Sequence, residues 1–286
     1  MDQHYIDLYD QYAHGATSRR DFLDRLAKAA GGTAAAMALL PLLENDYALA
    51  QTVAETDPRV TTSKVEYDAA GGKMTGYFAQ PKDGAKHPAV IVIHENRGLN
   101  PHIRDVARRF AVAGFVALAP DALSPLGGTP SDEPTATQLI GKLDAAETVA
   151  RLAAAIPFLA KHAATTGKVG VVGFCWGGGM VNRVAVAAGA GLGAAVSYYG
   201  PQVPASDVPK IQAPLLLHYA SLDQRINAGI ADYEAALKAN NKTYELCMYE
   251  GANHAFNNDT NAARYHRDAA GLAWSRTVTF FEKYLK

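Results

Sequence analysis

The clearest signal along the chain is a series of short apolar runs separated by stretches with helical spacing. Val90-Ile91-Val92-Ile93 is a continuous β-branched run, the pattern of a strand covered on both faces. Ile103 to Ala113 sets its apolar residues at helical intervals, and Phe115-Val116-Ala117-Leu118-Ala119, just after Gly114, reads as the next strand. The alternation continues with a helix over Ala145 to Lys161, kinked or restarted near Pro157, and a strand over Val169 to Phe174. A helix over Gly178 to Ala188 and strands over Ala194 to Tyr199 and Pro214 to Tyr219 follow. The series closes with a helix over Asp232 to Asn240, a strand over Thr243 to Tyr249 and a helix over Leu272 to Tyr284. Strands alternating with helices predict a mostly parallel sheet wound by right-handed crossovers, with helices on both faces. Ligands bind such sheets at the carboxyl ends of the strands, so the residues just past each strand are where chemistry is sought. Leu123 to Asp132, with its Gly and Pro residues, is expected to be a long loop framing a pocket.

Residues 1–50 break this pattern. Ser18-Arg19-Arg20-Asp21-Phe22-Leu23 has the form of a twin-arginine export motif, followed by a mildly apolar stretch from Ala29 to Leu40. Ala48-Leu49-Ala50 has the small-x-small form of a signal-peptidase site. Asp21 and Asp24 stand where a basic flank is usual, which supports a second reading: a helical arm that stays attached, with Tyr5 to Tyr12 as an amphipathic helix packed on the body. The first reading places the mature protein in the periplasm, the second in the cytoplasm. The apolar stretch is short for a membrane span, so no membrane association is expected of the mature form. The chain divides into an extension, residues 1–50, and a folded body, residues 51–286, whose start is marked by Thr56-Asp57-Pro58.

Composition narrows the function. Hydrophobic residues are 49% and charged residues 19%, which suits a compact enzyme with a large core. A formal net charge of −1 and the lack of any basic run argue against nucleic-acid binding. The two cysteines, Cys175 and Cys247, form no CxxC pair. No metal or cofactor is expected.

Gly173-Phe174-Cys175-Trp176-Gly177 sits between a predicted strand and a predicted helix. This is the G-x-nucleophile-x-G elbow with cysteine at its tip. Side chains flanking such a turn would clash with the strand and helix, and the helix N-terminus favours the reactive thiolate. The plainer alternative, a structural cysteine in a packing turn, lacks any need for this strand–turn–helix setting. Cys247, inside an apolar strand, is read as core. The chain order of such hydrolases is nucleophile, acid, histidine. Asp223 lies in the loop past the strand ending near Tyr219, and His254 in the loop past the last strand. His254 would take the thiol proton and Asp223 would orient its imidazole. Of the other histidines, His218 is expected in the core, His87 in a surface turn, and His162 and His266 on helix faces. Asp232 is expected to cap a helix.

These residues resemble the dienelactone hydrolase family from about residue 60 to the C-terminus. The resemblance implies an α/β-hydrolase fold and a Cys175, Asp223, His254 triad. His94-Glu95-Asn96-Arg97-Gly98-Leu99-Asn100 adds a further match, and the resemblance implies that Glu95 helps control ionisation of the thiol. A carboxylate near a thiol must either hold its proton or remove it. The sequence is not HExxH, because Gly98 stands where the second histidine is needed. In this fold the oxyanion is held by the N–H after the nucleophile and one from the loop after an earlier strand, which selects Trp176 and Asn96. Arg97 and Tyr199 are candidate substrate contacts. Dienelactone-cleaving members hold a substrate carboxylate with arginines, one of them shortly after the histidine. Here that stretch is Ala255-Phe256-Asn257-Asn258, which argues against dienelactone itself.

The expectation is therefore a hydrolase for a small-molecule ester or lactone, working through a cysteine acyl-enzyme. Two rivals stay open: a promiscuous carboxylesterase without lactone preference, and a non-catalytic binding protein on the same fold. Assembly into a homo-oligomer is left open.

Overall fold

A computed structural model describes residues 1–286. Three helices come first: α1 (Gln3–Ala13), α2 (Arg19–Ala30) and α3 (Thr33–Leu43). The body then runs β1 (Val60–Ala69), β2 (Gly72–Pro81), β3 (His87–Ile93), α4 (Pro101–Val112), β4 (Val116–Pro120), α5 (Glu133–Ile140), α6 (Ala145–Ala153) and α7 (Ala155–Ala160). It continues with β5 (Thr165–Phe174), α8 (Trp176–Ala187), β6 (Ala194–Tyr198), β7 (Leu215–Ala220), α9 (Gln224–Asn227), α10 (Ile230–Ala239), β8 (Tyr244–Tyr249) and α11 (Arg267–Leu285). The eight strands form one sheet in the order β1-β2-β4-β3-β5-β6-β7-β8. The pairs β1·β2 and β2·β4 are antiparallel, and every other pair is parallel. This is the α/β-hydrolase fold.

Side chains alternate across each strand, so the β-branched run of β3 feeds two cores. Val90 and Val92 join Phe110 of α4 and Phe281 of α11 on one face. Ile91 and Ile93 join Leu159 of α7, Val181 and Val184 of α8 and Leu237 of α10 on the other. The central strands β3 to β7 are thereby covered on both sides, as their unbroken hydrophobicity requires.

The hairpin β1–β2 carries no legible apolar run. Only Val60 and Tyr67 of β1 are buried, because β1 is an edge strand with much of its surface in water. The expected loop from Leu123 to Asp132 is present, broken only by a single turn at Ser124–Leu126; it ends where Asp132 caps α5 by accepting from Thr135 N–H at 2.9 Å. The break in the α6–α7 segment falls at Ala154, and Pro157 lies in the first turn of α7, where its missing N–H has no partner to lose. Gly229, not Asp232, holds the N-cap position of α10. His87 begins β3, His266 caps α11, and Cys247 is half-buried on the edge strand β8, packed against the margin of one core.

Residues 1–43 pack as a separate small core against the body. Ile6, Tyr9, Phe22, Leu26, Leu40 and Leu43 bury one another, with Phe22 stacked on Tyr12 at 5.0 Å between ring centroids. The arm is fixed to the body by polar contacts at both ends. Asn261 Nδ2 donates to the Leu43 carbonyl at 2.6 Å, and Arg97 Nη2 donates to Tyr9 Oη at 2.9 Å. No single helix is long and apolar enough to cross a membrane.

Candidate active site

The elbow is formed as its glycines require. Cys175 stands at φ 56°, ψ −117°, a left-handed backbone state that a side-chain-bearing residue rarely adopts. Its N–H is tied to the Tyr198 carbonyl at 3.0 Å, which fixes the bend to β6. A Cβ at Gly173 would collide with the backbone of Gly177, and one at Gly177 with the carbonyl oxygens of Ile93 and His94. Only glycine lets β5, the turn and α8 approach this closely. Trp176 is the first residue of α8, so its N–H has no partner within the helix. The N–H of Asn96, in the loop after β3, makes no backbone hydrogen bond either. The loop holding Asn96 is stiffened from behind by His94, whose Nδ1 pairs with the Glu95 carbonyl at 2.6 Å and whose Nε2 pairs with Ala122 N–H at 3.1 Å. That pattern is a neutral imidazole: Nδ1–H donates and Nε2 accepts. Burial depresses the pKa of His94, and its ring stacks on Trp176 at 5.4 Å.

His254 and Asp223 meet as their positions past β8 and β7 predict. Asp223 Oδ2 lies 2.5 Å from His254 Nδ1, and its other oxygen accepts from Ile226 N–H at 3.3 Å, capping α9. The Nε2 of His254 is buried and makes no hydrogen bond. Cys175 is 6% exposed. Burial pushes its thiol up, but the imidazoles of His254 and His14 outweigh this and hold it at about 5. Burial pushes His254 down, while the Cys175, Asp223 and Asp10 charges raise it to about 10. Both shifts favour charge separation, a proton leaving the sulfur for the ring.

The group in contact with the sulfur comes from the N-terminal arm. His14 Nε2 lies 3.3 Å from Cys175 Sγ, and its ring meets that of His254 edge-on at 4.7 Å. His14 Nδ1 is directed onto the Asp10 carbonyl at 2.8 Å, with the Asp10 carboxylate at 3.3 Å. The Ala13 carbonyl accepts from the Asn96 side chain at 2.7 Å. Glu95, expected to govern the thiol, has no hydrogen bond to Cys175; its Oε2 accepts from Asn258 Nδ2 at 2.9 Å. Arg97 is bonded to Tyr9 and paired with Glu133 at 3.3 Å, so its guanidinium faces the arm and α5. Tyr199, at φ 38°, lies with its ring 5.0 Å from that of His254 and its buried hydroxyl unpartnered.

A cavity of about 360 Å³ opens beside the pair, lined among others by Asp10, His14, Asp223, Arg225, His254 and Arg264. Arg264 is 3% exposed, and two of its nitrogens, Nε and Nη2, have no partner. Arg225 Nη2 lies 3.5 Å from His254 Nδ1. Two arginines thus stand at the site although none follows His254 closely in sequence. His14, Asp10, Arg225 and Arg264 were not singled out from the sequence. Only Arg225, two positions past the acid, lay near a motif that could have pointed to it.

Comparison with known proteins places the body of the chain in a family. Residues 74–285 match the dienelactone hydrolase family, and residues 1–31 match a second family described as YqhI-like. A protein of Escherichia coli O157:H7 named "Putative carboxymethylenebutenolidase" is 32% identical, the match covering 82% of this chain and 92% of that one. A Bradyrhizobium protein named "Probable 2-oxo-3-(5-oxofuran-2-ylidene)propanoate lactonase" is 32% identical over 77% of this chain and 94% of its own length. The crystal structure titled "Putative Dienelactone Hydrolase" from Klebsiella pneumoniae superposes with a TM-score of 0.72 at 31% identity, covering 79% of this chain and 99% of that one. The fold, the match over most of the body and these relatives together establish that the chain is a hydrolase belonging to the dienelactone hydrolase family.

Proposed function

We propose that this hydrolase opens a carboxylic ester or lactone by acyl transfer to Cys175. The observation that carries the reading is a thiol on a strained elbow, facing an imidazole whose far nitrogen is held by a carboxylate at 2.5 Å. The thiolate attacks the carbonyl carbon. The N–H groups of Trp176 and Asn96 receive the developing oxyanion, and neither has a competing backbone bond. His254 delivers its proton to the leaving alkoxide and then draws one from the water that hydrolyses the thioester. Asp223 fixes the tautomer and stabilises the imidazolium. Glu95 acts at one remove, anchoring through Asn258 the loop that follows His254. Tyr199 walls the imidazole. A thiolate leaves far more readily than an amine, so esters and lactones suit this nucleophile and amides do not.

Arg225 and Arg264 favour a substrate that carries its own carboxylate, since both line the cavity beside His254, Arg264 with its Nη1 paired to Asp10 at 3.5 Å. They restore the case for an anionic lactone that the stretch after His254 removed. The relatives named for lactone cleavage point the same way.

The test is a panel of lactones and linear esters, with and without a free carboxylate, on the wild type and Cys175→Ala. Turnover falls in Cys175→Ala by roughly 10³-fold or more. Retained turnover would remove the cysteine mechanism, and equal rates on all esters would favour a promiscuous carboxylesterase.

A further inference from the structure

The N-terminal arm brings a third donor to the sulfur, and the geometry points to a zinc site built from His14, Cys175 and His254. The three residues lie on separate parts of the chain: His14 at the end of α1, Cys175 at the elbow, His254 past β8. Each offers one ligand atom, and the three atoms lie within 4.8 Å of one another. The contact is not a surface accident. Cys175 and His254 are buried, His14 is partly so, and the His254 Nε2 is a buried nitrogen with no hydrogen bond of any kind.

The donor set decides the ion. One thiolate and two imidazoles suit a borderline-soft, four-coordinate cation, while magnesium and calcium require oxygen ligands. Three protein donors leave a fourth position open, as in zinc sites that keep a water. Behind each imidazole stands the support that such ligands use. His254 Nδ1 is held by Asp223, and His14 Nδ1 by the carbonyl and carboxylate of Asp10. These partners hold the Nδ1 protons outward, and the Nε2 atoms take the ion as the proton on His254 Nε2 is released to solvent. Asp10, Asp223 and the thiolate bring three negative charges against the dication, offsetting Arg225 and Arg264 on the cavity wall.

Binding has two results. The ion takes the sulfur lone pair that would attack a carbonyl, so zinc occupancy and hydrolysis exclude each other. It also joins the arm to the body by metal–ligand bonds, closing the site. The inference does not rest on the ester or lactone reading, because the same donors bind whether or not the protein turns over a substrate.

The experiment is a titration of the full-length, untagged, reduced and chelator-treated chain with Co²⁺, followed by absorbance. One Co²⁺ per chain is expected, with a thiolate-to-cobalt charge-transfer band in the near ultraviolet and strong visible bands of four-coordinate cobalt, displaced by one equivalent of Zn²⁺. His14→Ala is expected to weaken binding at least tenfold, and Asp10→Asn by about tenfold. Cys175→Ser loses the charge-transfer band, and Cys247→Ser keeps it. Circular dichroism on each variant separates loss of the site from loss of the fold, and His14→Gln serves if His14→Ala does not fold. Absence of the band in folded wild type, or undiminished affinity in folded His14 variants, overturns the zinc site. A cobalt spectrum in a protein that cleaves no ester or lactone would retain the zinc site and remove the hydrolytic reading.

Discussion

The Ala13 carbonyl accepts a hydrogen bond from the Asn96 side chain at 2.7 Å, so the last residue of the first helix hangs on the loop that follows β3. With His14 on the sulfur, this places the arm where an acyl group would sit. Loosening the arm should uncover the thiol. Phe22 is buried between Tyr9 and Tyr12, and its truncation to alanine costs the arm about 3–5 kcal/mol. Phe22→Ala is expected to raise the rate of Cys175 alkylation by iodoacetamide several-fold, read by intact mass, with little change in melting of the body. An unchanged rate would mean that the arm does not shield the sulfur.

Asp223→Asn keeps the shape of the carboxylate but reverses the donor pattern at His254 Nδ1. The imidazole is then held in the wrong tautomer, and kcat is expected to fall by roughly 10³–10⁴-fold with KM little changed. The Oδ1 contact to Ile226 N–H survives as an amide oxygen, so the variant should melt close to wild type.

Arg264→Gln removes one of the two guanidinium groups that line the cavity. For a substrate bearing a carboxylate, KM is expected to rise about tenfold or more, while neutral esters change little. Steady-state kinetics on matched acid and methyl-ester substrates makes the comparison. Equal effects on both would remove the anionic-substrate assignment.

Away from the site, Asp259 pairs with His102 at 3.1 Å and with Arg109 at 2.5 Å. Burial raises its pKa, but the contact with His102 and the Arg109 guanidinium prevail and hold it at about 2, below an ordinary value of 3.8. A depressed carboxylate contributes stability that is full above its unfolded pKa and lost as pH falls through the folded one. The pair should thus contribute about 1 kcal/mol above pH 4, after allowance for solvent screening, and lose it towards pH 2. Urea unfolding of wild type and Asp259→Asn between those limits reads the difference, which should vanish at the acid end.

The sheet from β3 to β7 was legible because its strands are covered and therefore apolar, while β1 escaped notice because most of its side chains meet water. The elbow, the acid and the histidine were legible because chain order and strand ends position them. His14 was not. It stands 161 residues from Cys175 in a segment that also reads as an export signal, and nothing local marks it as a partner of sulfur. Arg264 was hidden for a related reason: it reaches the cavity through the loop between Asn258 and α11, whose path no periodicity reports. The fate of Glu95 was equally unreadable, since a carboxylate beside a nucleophile in sequence can turn to Asn258 without any change in the motif.

The bend at Cys175 is a property of the main chain. It is imposed by Tyr198 on one side and by the bare α-carbons of Gly173 and Gly177 on the other, and the sulfur atom has no share in making it. The side chain at the tip can therefore be exchanged while its position is kept. Substitution at this turn has one open direction, the side chain at the tip, and one closed direction, the ribbon that carries it.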